Sequence, residues 1–484
     1  MQDFRLTAFL GACLIVLPTF TDAFWRLPCR GRTGVARLDP IVEPGEISGH
    51  IHAVHGAGNF GMSSDMNTLL DSSCTSCAVE QDMSAYWTPP LYFMHTNGSA
   101  ELVPQIGGML VYYLLYGENV TAFPSNFRLL AGDPYQRNFT WPIPDPPKSS
   151  WSGAQLSQEA LRQKAIGFNC LNYAMAPEPS LYRHFLPNKT YLDEHCTDGV
   201  RLELMFPSCW NGEDVDSTDH KSHMAYPTLV IDGTCPEGYE TRLVSLFFET
   251  IWDTYVFKDV DGYFTLSNGD PTGFGYHGDF MYGWEDGVLQ EAVDTCTSDT
   301  GLVEDCAIFN LQSESNQREC FFDVPESLKD ENVYMHANGL PGAMAIESGP
   351  AYATMSMASS PSSSTTSLEP STTSKEPSTT SKEPSTTSKE PSTTSQEPGT
   401  TSKEPSTTSQ EPGTTLKEPG TALQEPGTST PYISISLPPL SISIGDLNLD
   451  ALCHARARYY CALKYYIDFH SYTDPNHSGT GVHN

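Results

Sequence analysis

Three histidines fall within six positions of the stretch SGHIHAVHGAGNFG, at His50, His52 and His55, in a chain that has only fourteen. On an extended strand alternate side chains share a face, so His50 and His52 would point the same way. An H-x-H pair of this kind presents two nitrogen ligands to Zn or Cu. His55 follows where the glycines of GAGNFG turn the backbone. Alone, paired histidines on a loop are more often hydrogen-bonded polar residues than ligands.

Two further clusters carry the same chemistry. CWNGEDVDSTDHKSHMAYP places His220 and His223 three apart, flanked by Asp214, Asp216 and Asp219. It follows a strand ending at Phe206, so it occupies a loop at one end of a sheet. GDPTGFGYHGDFMYGW places His277 and Asp279 two apart, beside Tyr276, Trp284 and glycines that allow close backbone approach. If the clusters converge, His50, His52, His220 and His223 are candidate ligands for a Zn or Cu ion, whose bound water or redox chemistry would act. Alternatively, Asp279 with Asp219 or Asp214 forms a carboxylate pair for glycoside hydrolysis, with His277 beside it. Trp210, Tyr276 and Trp284 would then offer sugar-stacking surfaces. A third reading leaves these groups as loop caps, Asp279 binding backbone amides. No G-x-S-x-G, H-E-x-x-H or P-loop pattern occurs, which argues against serine hydrolase, zincin and nucleotide-dependent chemistry.

The elements that must position these groups read as mainly β. GGMLVYYLLYG, VRLELMFPSCW, YPTLVIDG, TRLVSLFFETIW and DGYFTLSNGD are short, β-branched or aromatic, and bounded by Gly, Pro or Asn. SQEALRQKAIGFNCL, opened by Ser157, predicts a helix, and WEDGVLQEAVDTC predicts a shorter one. The expected fold is an antiparallel β-sandwich or jelly-roll-like core with peripheral helices and long disulfide-stapled loops.

The chain's ends set its expected destination. MQDFRLTAFLGACLIVLPTFTDA has the basic start, short apolar core and small terminal residue of a secretory leader over residues 1–23. The apolar run falls short of the roughly 20 residues that cross a bilayer, and no later stretch reaches that length. Removing Cys13 with the leader leaves ten cysteines from Cys29 to Cys320 and two more, Cys453 and Cys461, both even sets suited to disulfides. CTSC at Cys74–Cys77 lacks the βαβ context of a redox pair. Sequons at Asn97, Asn119, Asn138, Asn188 and Asn476 are the candidate N-glycosylation sites. A formal charge of −33 argues against nucleic acid and against anionic membranes as partners.

Composition divides the rest. Residues 24–358 can bury a sizeable core. Residues 359–431 repeat Glu-Pro nine times, from Glu369 to Glu425, with a period of seven. A proline in every repeat forbids a continuous helix, so this reads as a disordered, O-glycosylated stalk. Residues 432–484 regain apolar character and read as a small C-terminal module or tail. Cys453 and Cys461 there would be about 12 Å apart along a straight helix, too far to bond.

RLDPIVEPGEISGHIHAVHGAGNFG, SCTSCAVEQDMSAYWTPPLYF, FPSCWNGEDVDSTDHKSHMAYP and GDPTGFGYHGDFMYGW together resemble a secreted, mostly fungal family of domains of unknown function, DUF1996, from about Arg37 to Ala353. The resemblance implies an extracellular protein with relatives sometimes joined to carbohydrate-binding modules, and it carries no activity. The expectation is therefore an exported protein that binds or hydrolyses cell-wall polysaccharide through a His/Asp-lined pocket, as a glycoside hydrolase or a metal-dependent hydrolase. The alternative is a non-catalytic wall or matrix protein whose histidines bind metal or only stabilise loops.

Overall fold

The computed structural model describes residues 23–354. The expected leader, stalk and C-terminal module, with Cys453, Cys461 and Asn476, lie outside the described residues. Two five-stranded antiparallel sheets face each other. The first runs β1 (Phe24–Cys29), β7 (Gln105–Leu114), β14 (Ser245–Trp252), β10 (Val200–Met205), β9 (Ile166–Cys170). The second runs β2 (Gly34–Ala36), β3 (His52–Gly56), β4 (Ala85–Thr88), β16 (His277–Met281), β8 (Arg128–Gly132). A four-stranded sheet, β15 (Gly262–Leu266), β5 (Leu91–His95), β6 (Ala100–Leu102), β17 (Met335–His336), flanks them. Short strands β11 (Cys209–Trp210), β12 (Met224–Ala225) and β13 (Thr241–Arg242) make a fourth, small sheet. The mainly antiparallel architecture agrees with the sequence expectation.

Aromatic side chains fill the space between the two large sheets. Tyr86 of β4 meets Phe248 of β14 edge-on, with ring centroids 5.6 Å apart, and stacks on Phe280 of β16. At Gly278 the sheets approach closely: an added Cβ would lie 2.7 Å from Leu204 Cδ2 on β10. A side chain there would push β16 outward, and with it the two flanking residues His277 and Asp279. The other face of the second sheet is covered by a smaller apolar layer, in which Leu38, Ile41, Phe60 and Phe322 gather around Trp87 and Met281.

A buried polar chain crosses the sandwich. The Trp284 indole N–H donates to the Tyr113 hydroxyl on β7 at 2.8 Å. That hydroxyl lies 2.7 Å from Tyr86 on β4, which donates to Asp82 Oδ2 at 2.5 Å. Asp82 Oδ1 accepts from the Ser84 amide. Each polar tip is satisfied, as buried groups require.

Two local expectations change. The predicted helix from Ser157 stops early: Ser157 Oγ accepts from the Ala160 amide, the helix spans Gln158–Lys164, and Ile166–Cys170 becomes β9. Ile166 and Phe168 pair across β10 with Leu204 and Leu202, so tertiary pairing overrides local helix preference. YPTLVIDG forms turns instead of a strand, with the Val230 amide bonded to the Pro227 carbonyl and Leu229 to Asp232. The helix expected in WEDGVLQEAVDTC appears at Val288–Thr295.

All ten cysteines from Cys29 to Cys320 are paired, as Cys29–Cys77, Cys74–Cys320, Cys170–Cys196, Cys209–Cys235 and Cys296–Cys306. Cys74 and Cys77 bond to different partners, so CTSC is a structural junction and not a redox pair. No helix among the described residues is long and apolar enough to cross a membrane.

Burial raises the Asp82 carboxyl from 3.8 to about 6. The fold therefore holds this proton more tightly than the unfolded chain, a contribution complete below the unfolded value and lost as pH rises through about 6. We expect Asp82→Asn to remove that loss. The stability of the native chain relative to the variant should fall by up to about 3 kcal/mol between about pH 4 and about pH 7. Urea melts at stepped pH check this, and parallel profiles would refute a protonated Asp82.

Candidate metal centre

In the second sheet β3 and β16 lie on either side of β4, and β4 ends at Thr88, ahead of Pro89 and Pro90. Proline cannot donate to the ladder, so the sheet opens at that end. Val54 and Asp279 both pair with Trp87. His52 and His277, each two residues earlier on its strand, therefore stand level across the opening. Both project to the face bearing Trp87 and Met281, because side chains alternate with period two. Their ring centroids are 5.8 Å apart. His50, just ahead of β3, completes the group, 4.3 Å from the His52 ring and 5.1 Å from the His277 ring.

Two carboxylates join them. The ligand atoms of His50, His52 and His277 lie within 4.8 Å of one another, as do those of Asp39, His52 and Asp279, so His52 belongs to both sets. No member of the five is more than 5% exposed.

The hydrogen bonds fix which nitrogens face inward. His52 Nδ1 lies 2.9 Å from the Leu38 carbonyl and His277 Nδ1 lies 2.9 Å from the Gly275 carbonyl. A carbonyl only accepts, so each Nδ1 carries the proton and each Nε2 presents a lone pair. Metal-binding histidines are oriented in the same way, by a carbonyl that accepts from the ring N–H facing away from the ion. His50 Nε2 and His277 Nε2 are 3.1 Å apart. Two nitrogens bound at about 2.0–2.1 Å to one ion are separated by about 2.9 Å at right angles and about 3.4 Å at a tetrahedral angle. The observed spacing falls between these. His52 Nε2 and both oxygens of Asp279 are buried with no hydrogen-bond partner.

The electrostatics favour uncharged imidazoles. Burial and the neighbouring His52 and His277 push His50 well below its ordinary value. Burial, then His277, brings His52 to about 3, and burial brings His277 to about 4. Burial raises Asp39 to about 6 against the amides of Val42 and Ile41. Burial, reinforced by Asp39, raises Asp279 well above its usual range. Neutral imidazoles are the ligating form, and two carboxyls that resist ionisation here would ionise beside a dication.

A supporting shell sits behind His277. Asp270 Oδ2 accepts from the Gly275 amide at 2.6 Å, and Asp270 Oδ1 accepts from Thr272. Asp270 pairs with Arg137 at 3.6 Å, and both side chains are fully buried. Arg137 in turn donates to the carbonyls of Pro134, Gln136, Asn268 and Glu347. This shell holds the turn whose Gly275 carbonyl orients His277. On the opposite side, Glu43 accepts from the Gly49 amide and Arg37 donates to the Ser48 carbonyl, bracing the segment that carries His50.

The other expected residues lie elsewhere. His55 has opposite parity on β3 and faces the first sheet, accepting from Gln105 of β7 at 3.3 Å. His223 uses both nitrogens, on the Arg128 carbonyl and Ser217 Oγ, and His220 pairs with Asp216 at 2.7 Å. These two histidines, proposed from sequence as ligands, do not join the other three. Asp219 accepts from Ser217, Lys221 and Ser222, and Asp214 binds Asn211, so both organise their own loop. Burial alone would raise Asp219, but these hydrogen bonds carry it below its ordinary range. That loop still reaches the cluster through the charge of Lys221, which acts on His277 and Asp279. Trp284 and Tyr276 are core residues with no exposed face, which corrects their assignment as sugar platforms. Trp210 is half-buried and its indole N–H donates to the Asp214 carbonyl.

Sequence reasoning missed Asp39, Asp270 and Arg137. Asp39 reads as an ordinary turn former before Pro40, and it does accept from the Ile41 and Val42 amides. The available signal was its place in the same long motif as His50 and His52.

A family model described as Domain of unknown function (DUF1996) matches residues 39–284, just over half of the 484-residue chain. That span opens on Asp39 and contains all five clustered residues. No curated protein and no solved structure matches the chain.

Arg137→Met should leave Asp270 as an uncompensated buried carboxyl and destabilise the fold by about 3–5 kcal/mol. Adding Asp270→Asn should recover part of that loss. Denaturant melts of the single and double variants check the pairing, and strictly additive effects would refute it.

Proposed function

The chain belongs to the DUF1996 family of domains of unknown function, and from the geometry of its buried cluster we propose that it is an exported protein holding one Zn or Cu ion. The observation that carries this reading is the pair of buried, unpartnered oxygens on Asp279 beside the unpartnered Nε2 of His52. Buried polar groups without partners are costly, and a divalent cation would satisfy all three atoms at once. Imidazole and carboxylate together suit Zn, Cu and similar first-row ions. His50, His52 and His277 supply nitrogens, and Asp279 with Asp39 supplies oxygens and charge.

The enclosure supports a closed, stabilising centre. Asp39 and Asp279 offer oxygens within 4.8 Å of each other, under cover, with no room for a sugar ring between them. The ion would tie β3, β16 and the segment from Asp39 to His50 into one unit, much as closed metal sites contribute folding energy. Polysaccharide contact at the wall therefore calls for a different surface.

Export is supported by the leader, by five disulfides and by the exposure of the sequon asparagines Asn97, Asn119, Asn138 and Asn188. Chain recovered from culture medium should begin near Phe24 and lose mass on N-glycan removal. An intact leader on the recovered chain would overturn this.

Elemental analysis of native protein should find one Zn or Cu per chain, and chelation should lower its melting temperature. His52→Ala and Asp279→Asn should weaken titrated metal by at least about 100-fold, whereas His220→Ala should leave it unchanged. Asp279→Leu should also stabilise the chelated protein, because it replaces an unpaired buried carboxyl with an apolar side chain of similar volume. Native protein free of metal and indifferent to added Zn or Cu would refute the centre.

A further inference from the structure

A second feature lies on the outer side of the layer that covers the cluster. A cleft of about 520 Å³ is walled by Asn59, Ser63, Asp71, Ser73, Phe321 and Asp323. Cys74, bonded to Cys320, is part of its lining. Gly58 also lines it, packed so closely on the disulfide that a Cβ there would sit 2.6 Å from Cys74 Sγ and 2.9 Å from Cys320 Sγ.

Phe321 stands in this cleft 65% exposed. It cannot turn inward. Cys320 on one side is buried and locked to Cys74. Phe322 on the other side is buried against Phe60, ring centroids 5.8 Å apart, and its amide donates to the Thr33 carbonyl. The backbone thus holds an aromatic ring in water at the mouth of a polar cleft. No lysine or arginine lines the cleft, and among the described residues none forms an ion pair with Asp71 or Asp323.

We infer that this cleft binds a neutral glycan, the C–H face of a pyranose stacking on Phe321 while Asp71 and Asp323 accept its hydroxyl hydrogens. A rigid apolar face beside carboxylate and hydroxyl groups matches the two-sided character of a sugar ring. The carboxylates repel polyuronates and other anionic glycans. The volume lies in the range of small-ligand sites. None of the five residues of the metal centre lines the cleft. Phe321 and Asp323 lie beyond the span matched by the family model, so this wall belongs to the chain's own continuation.

The full-length secreted protein is to be titrated with laminarin, mannan and xyloglucan, and with chitosan and polygalacturonate as charged controls. Saturable binding of at least one neutral glycan is expected, weakened about tenfold or more by Phe321→Ala and measurably by Asp71→Asn or Asp323→Asn. Metal content and melting temperature should stay unchanged in Phe321→Ala, an exposed position, which separates this site from the metal centre. Three results would overturn the inference: no neutral glycan binds, Phe321→Ala binds as tightly as the native chain, or binding is confined to chitosan and vanishes at high salt.

Discussion

Burying three imidazoles and two carboxyls against one another is the constraint around which the second sheet is arranged. Each group alone would be costly to remove from water, and the imidazoles respond by staying neutral while the carboxyls resist ionisation. Part of the arrangement is held by hydrogen bonds and part is left open. Backbone carbonyls fix two of the three rings, and a cation placed among the remaining lone pairs would replace the lost hydration.

The sheet architecture makes that meeting possible. β4 separates β3 from β16 and then stops, and the two prolines after it leave a gap that imidazoles from both neighbours can cross. Gly278 lets β16 lie close to the first sheet, while the residues on either side of it project outward into the cluster. The crossing chain from Trp284 through Tyr113 and Tyr86 to Asp82 ties the first sheet to β4, the strand that sets the register for both histidine-bearing strands. The Arg137–Asp270 pair does comparable work from behind, by holding the turn that aims His277.

Outside the cluster, the same covering layer presents a different chemistry. Phe60 packs inward on Trp87 and Phe322 packs on Phe60, while Phe321, the chain neighbour of Phe322, is left in solvent beside carboxylates and hydroxyls. An enclosed inner face and a wet outer face thus share one thin layer, braced by the Cys74–Cys320 disulfide. The first is built for an ion and the second for a hydroxylated ligand.

Local pattern alone carries the expected leader, the even cysteine sets, the proline-punctuated repeat, four of the five strand runs read from it and the grouping of His50 with His52. It also marked His277 and Asp279 as two residues apart, and the structure puts both on β16. Those readings rest on periods and residue types within a few positions of each other. Which distant segments meet was decided only by the tertiary structure, because strand order and register are set by packing across hundreds of residues. That is why Asp39 joined the cluster and His220 and His223 did not, and why Trp284 became core. A one-residue change of parity separates His55 from His52, and the depth of burial that makes the five groups a site comes from the layer folded over them.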